Sequence, residues 1–150
     1  MRSETIARNY AETLFELGER DGNTERYADL LDAVAAAIEQ TPRVQAVLMS
    51  PKVPKSEKAR ILAGALQETP REFVLFLQAM IKRGRQQLLR EVATEYLGLL
   101  DQKLDRLRAG VTLARTPDER LKRAIQDALS RQLGKQVIPA FTVDPEILGG

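Results

Sequence analysis

The stretch Ile6-Ala7-Arg8-Asn9-Tyr10-Ala11-Glu12-Thr13-Leu14-Phe15-Glu16-Leu17 decides the fold. Ile6, Tyr10, Leu14 and Leu17 recur at helical spacing and share one stripe. Ala7, Ala11 and Phe15 make a second stripe beside it. Together the two cover roughly half the circumference of a helix. Arg8, Asn9, Glu12 and Glu16 occupy the opposite side. Such a helix has more apolar surface than one core contact requires. It can bury one stripe in its own bundle and offer small residues to a second helix.

Outward from this stretch, the chain is clearly punctuated. The first helix, over about residues 4–20, ends between Gly18 and Gly22. A second covers about 24–40, with Tyr27, Leu30, Leu31, Val34 and Ile38 inward, and a short third covers about 42–49. Ser50-Pro51-Lys52-Val53-Pro54 is a loop, followed by helices over about 55–67, 70–83 and 86–107. Thr-Pro pairs at Thr41-Pro42, Thr69-Pro70 and Thr116-Pro117 read as N-caps followed by proline at the first helical position. Thr69 with Glu72, and Thr116 with Glu119, have the capping-box spacing. Gly84 reads as a left-handed helix end.

The pattern changes after the sixth helix. Residues 109–114 read as a strand, 117–133 as a helix ending at Gly134, and 136–143 as a second strand. Pro139 places that strand at an edge or a bulge. Two strands and one helix are too few to bury both sheet faces, so residues 106–150 either borrow surface from a partner or continue into further structure, and the second is favoured. The segment Asp144-Pro145-Glu146-Ile147-Leu148-Gly149-Gly150 reads as a lead-in to a hairpin, so continuation beyond Gly150 is expected. The predicted class is therefore mainly α: a six-helix bundle over residues 1–105, then a small, truncated α+β domain over 106–150.

Composition narrows the function classes. The chain has 150 residues, 43% hydrophobic and 29% charged, which suits a folded domain. No apolar run approaches a membrane span, and no signal-peptide core follows the N-terminus. Cysteine and histidine are both absent, which removes disulfides, thiol chemistry, Cys/His zinc sites and histidine acid–base catalysis. No glycine-rich phosphate loop is present, and no serine has a nucleophile-elbow context. No enzyme activity, cofactor or metal is expected. Net charge is +2, too small to imply nucleic-acid binding.

The fifth helix carries a broad apolar arc of Phe73, Leu77, Met80 and Ile81, flanked by Phe76 and Val74, with Leu75 and Ala79 on the far side. The plain reading is a central helix of the bundle. The sharper one is that the first and fifth helices flank a groove for a foreign helix. Lys82-Arg83-Gly84-Arg85 follows, either complementing the helix dipole or forming a charged rim for an acidic or amide-rich partner segment. Arg120, Lys122, Arg123, Arg131 and Lys135 form either a solvated face or a basic surface for an acidic helical stalk.

Four segments, in this order and spacing, resemble the delta subunit of F-type ATP synthase, called oligomycin-sensitivity-conferral protein in mitochondria. They are residues 7–15; Leu48-Met49-Ser50-Pro51-Lys52-Val53 with Lys58; residues 73–77 with Lys82-Arg83-Gly84-Arg85 and Leu88-Leu89; and Ala109-Gly110-Val111-Thr112-Leu113-Ala114 with Asp144-Pro145 and Gly149-Gly150. The resemblance implies a non-catalytic stator subunit that joins the catalytic head to the peripheral stalk of a proton-translocating synthase. It would be present as a single copy in a hetero-oligomeric complex at the cytoplasmic face of the bacterial inner membrane, with no direct membrane insertion. By the same resemblance, the N-terminal helix of an alpha subunit lies between the first and fifth helices, on Ala7, Tyr10, Ala11, Leu14, Phe15, Leu77, Met80 and Ile81, with Arg83 and Arg85 at the rim. Leu14 stands where the family often has a smaller residue. The stalk's b subunit contacts the C-terminal domain. On this reading, Leu77→Asp or Ala11→Asp abolishes partner binding without unfolding the bundle. The alternative is a free-standing helical adaptor binding an amphipathic partner helix in the same groove.

Overall fold

The computed structural model describes residues 2–147. Of the hairpin lead-in expected over residues 144–150, Leu148-Gly149-Gly150 lies outside them, and residues 144–147 form a turn in which the Ile147 amide donates to the Asp144 carbonyl at 3.2 Å. The chain forms two compact units, Met1–Leu100 and Asp101–Gly150.

The first unit is all helical. Its elements are α1 (Ser3–Asp21), α2 (Thr24–Gln40), α3 (Pro42–Met49), α4 (Lys55–Ala65), α5 (Arg71–Lys82), a single 3-10 turn (Gln86–Leu88) and most of α6 (Leu89–Lys103). The core gathers Ala7, Ala11 and Leu14 of α1 with Phe73, Phe76, Leu77, Met80 and Ile81 of α5, and with Tyr27, Leu31, Val92 and Tyr96. Aromatic contacts tie it together. Tyr27 stacks on Phe73 at 5.8 Å, and Phe15 meets the Tyr96 ring edge-on at 5.6 Å. The Tyr96 hydroxyl donates to the Thr24 carbonyl at 2.7 Å; burial pushes its pKa up. Arg90 of α6 bridges Asp32 and Glu39 of α2.

The second unit is one β–α–β unit: β1 (Arg106–Leu113), α7 (Glu119–Leu133) and β2 (Gln136–Val143). The strands are parallel, with Arg106 opposite Gln136 and Leu113 opposite Val143. In this register Leu107, Ala109, Val111 and Leu113 share one face with Val137, Pro139, Phe141 and Val143. α7 lies on that face: its Gln126 amide donates to the Val137 carbonyl, and its Ser130 hydroxyl accepts from the Val137 amide. The other face carries Arg106, Arg108 and a cross-strand pair, Thr112 with Thr142 at 3.1 Å. Among the described residues both strands are edges, so Pro139 gives up no ladder bond that a third strand needs.

Three boundaries depart from the sequence expectation. Residues 86–107 do not form one helix. α6 starts after the 3-10 turn, and the chain turns at Asp105, whose φ is +49°. β1 therefore begins at Arg106 rather than at Ala109. Helical spacing of the apolar residues does not foresee this, because the arginines of β1 are held by charge: Arg106 and Arg108 bond Asp101 at 2.6 and 2.7 Å. Neither capping box forms. The Thr69 hydroxyl donates back to the Leu66 carbonyl, leaving Pro70 as N-cap of α5. Asp118, not Thr116, caps α7, accepting from the Leu121 amide at 2.7 Å. Thr41 is the N-cap of α3 with Pro42 inside, and it makes no side-chain cap bond.

Candidate functional site

α1 and α5 meet through Tyr10 and Phe76, whose rings are 6.0 Å apart and nearly perpendicular. Beside this contact lies an open cleft of about 760 Å³. Ile6, Asn9, Tyr10 and Thr13 of α1 form one wall. Phe76 and Ala79 of α5 form the other, with Arg83 and Arg85 at its end. The spacings Ile6–Tyr10–Thr13 and Phe76–Ala79–Arg83 are those of neighbours on one helix face. Each wall thus presents two turns, roughly 10 Å of helix axis.

The arginines are placed by the way α5 ends. The Gly84 amide donates to the Ile81 carbonyl at 2.9 Å, and the Arg85 amide to the Met80 carbonyl at 2.8 Å. This is a Schellman closure, and it needs the left-handed φ of +69° at Gly84. Both arginine side chains are left exposed at the mouth of the cleft. Two aromatics, an aliphatic chain and an alanine on the walls, with two guanidinium groups at one end, suit a short amphipathic helix carrying acidic or amide groups at that end.

Of the residues expected in the groove, Tyr10, Arg83 and Arg85 line it. Ala7, Ala11, Leu14, Leu77, Met80 and Ile81 do not; each is at most 2% exposed and belongs to the core. Phe15 turns toward Tyr96. The reason is angular: on both helices the stripe that seemed available to a partner is the one the bundle consumes. Leu14 therefore does not set the depth of the cleft. A carboxylate at Ala11 or Leu77 would be buried in the core. Leu77→Asp and Ala11→Asp are thus expected to unfold the bundle rather than report on binding. Asn9, assigned to the polar side, and Thr13 line the cleft instead, as does Ala79 from the far side of α5. Their signal in the sequence is position: Asn9 and Thr13 are i+3 and i+7 from Ile6.

Among the described residues no helix is long and apolar enough to cross a membrane. In the second unit Lys122 lies over the Phe141 ring at 6.0 Å, while Arg120, Arg123, Arg131 and Lys135 are exposed.

The comparisons with known proteins agree with one another. A family model described as ATP synthase delta (OSCP) subunit matches residues 6–150. An ATP synthase subunit delta from Gemmatimonas aurantiaca is 38% identical, over all of this chain and 82% of its own length. Proteins of the same name from Anaeromyxobacter dehalogenans and Desulforamulus reducens are 37% and 33% identical, each over 97% of this chain and over 83% and 81% of their own lengths. With the helical bundle and the β–α–β unit, these matches establish that the chain belongs to the ATP synthase delta (OSCP) subunit family.

Proposed function

We propose that this chain is a non-catalytic stator subunit of a proton-translocating ATP synthase, holding the catalytic head to the peripheral stalk against rotor torque. Membership of the delta family supports the assembly. The cleft between α1 and α5 is the observation that carries the mechanism. Its occupant is the amphipathic N-terminal helix of an alpha subunit. The apolar side of that helix rests on Ile6, Tyr10, Phe76 and Ala79, and its polar end meets Arg83 and Arg85. The second unit, residues 101–150, takes the b subunit of the stalk, with the basic residues of α7 toward its acidic groups. One copy serves each complex, at the cytoplasmic face of the bacterial inner membrane and without inserting into it. Torque resistance favours two separate interfaces of standard size over one weak contact.

The test is calorimetric titration of the chain with a peptide of the cognate alpha subunit's first roughly 20 residues, about 30 Å of helix. Saturable one-to-one binding with a negative heat-capacity change is expected. Tyr10→Ala and Arg85→Glu should each weaken it about tenfold or more, while the far-ultraviolet circular dichroism stays unchanged. Lack of binding by the folded chain would remove the stator reading and leave a helical adaptor.

A further inference from the structure

α5 has a second cleft on its other side. α4 and α5 form an antiparallel pair whose rungs are fixed by two hydrogen bonds. Lys55 Nζ donates to the Lys82 carbonyl at 3.0 Å, and the Gln78 side-chain amide to the Ala59 carbonyl at 3.5 Å. Between the helices lies an open cleft of about 660 Å³, lined by Lys55, Ser56, Ala59, Arg60, Ala63, Gln78 and Lys82. Lys55, Ala59 and Ala63 are successive turns of one face, roughly 12 Å long. Leu75, half exposed and three residues before Gln78, stands on the same side of α5.

The lining is graded. One end is basic, at Lys55 and Lys82, with Arg60 beside them. The middle offers an amide over an alanine floor. The far end is apolar, at Ala63 and Leu75. The alanines let another backbone approach closely. The Glu57 carboxylate of α4 is already taken by Arg60. Lys82 has no ion-pair partner among the described residues. A helix whose last turn is acidic matches this gradient twice over: its carboxylates face the ammonium groups, and so does the negative end of its dipole.

We propose that the α4–α5 cleft is a second docking site, taking an acidic amphipathic partner helix with its C-terminal turn at Lys55 and Lys82 and its apolar side against Ala59, Ala63 and Leu75. The proposal is independent of the α1–α5 reading. It is tested on the whole 150-residue chain, isotope-labelled, by amide shift mapping. The probe is a synthetic helix of roughly 15 residues, built from Leu, Ala and Gln with glutamates in its last turn. A counterpart carries lysines in their place. The glutamate helix should move amides of residues 55–63 and 75–82 and bind about tenfold more tightly than the lysine helix. Lys82→Glu should abolish that preference, and Leu75→Ser should weaken the glutamate helix severalfold; both sites are exposed, so the fold is kept. Tyr10→Ala, in the other cleft, should leave this binding unchanged. Shifts confined to the α1–α5 cleft, equal affinity for the two probes, an undiminished preference in Lys82→Glu, or no binding would each overturn the proposal.

Discussion

At the scale of single residues, three positions are fixed for three different reasons: close neighbours, charge and backbone conformation. Gly18 is buried in α1, and a Cβ there would meet the Tyr96 hydroxyl at 3.0 Å and the Thr24 Cα at 3.2 Å. The hydroxyl is itself held by the Thr24 carbonyl. Overpacking of this kind costs about 1–3 kcal/mol, against a gain of about 1 kcal/mol in helix propensity. Gly18→Ala is therefore expected to destabilise, lowering the urea midpoint of the first unit without changing the slope. Asp101 is the second case. Burial opposes its ionisation, but hydrogen bonds from Arg108 and Arg106 outweigh that and hold its carboxyl below the usual range. A depressed folded pKa means the unfolded chain binds the proton first. The stabilisation is present above the unfolded value of about 3.9 and is lost as pH falls through the lower folded value. Melting of the second unit should stay level from pH 7 to about 5, then fall, and Asp101→Asn should flatten that fall. Gly84 is the third: any side chain at its φ of +69° is strained. Gly84→Ala should cost about 1–2 kcal/mol in a denaturant melt and weaken whatever the α1–α5 cleft binds, since Arg83 and Arg85 flank it.

At the scale of elements, helical periodicity was a sound guide to existence and a poor one to edges. Each helix of the first unit follows from an apolar stripe at i, i+3, i+4; a proline or glycine ends α1, α2, α3 and α5, whereas α4 stops at Ala65 and α6 at Lys103, before the turn at Asp105. The stripe does not say which of two apolar sides meets the bundle. Ala11 and Leu77 went to the core, while Ile6 and Ala79 were left at the cleft. That choice depends on how α1 crosses α5, a tertiary fact absent from either helix alone. The cap of α7 departs from the box spacing for a chemical reason. Thr116 had the box spacing, but Asp118 stands two residues later with a charged acceptor that reaches the Leu121 amide, and Pro117 is buried between them. Asp118→Ala should therefore destabilise α7 by about 1 kcal/mol, whereas Thr116→Ala should leave its melting temperature unchanged. The strand start at Arg106 is legible in the alternation of Leu107, Ala109, Val111 and Leu113 with Arg106, Arg108 and Thr112, and the salt bridge from Arg106 to Asp101 pins it there.

At the scale of the whole molecule, the two units differ in how much they bury. The first encloses a large mixed aliphatic and aromatic core. In the second, Pro117 and Val137 are the buried side chains among the described residues, and α7 buries none completely. Native-state hydrogen exchange should therefore separate them: amides of β1, β2 and α7 should exchange well before those of α1, α5 and α6. The same asymmetry has a meaning during synthesis. Every residue of β1 pairs with one thirty positions further along, from Arg106 with Gln136 to Leu113 with Val143. At about 5–20 residues per second, β1 waits some seconds on the ribosome for its mate, while the helices ahead of it need only partners already made. The newborn protein thus has a scheduled interval in which a folded helical head trails an unmatched strand, and a chaperone that visits this chain would find its work there.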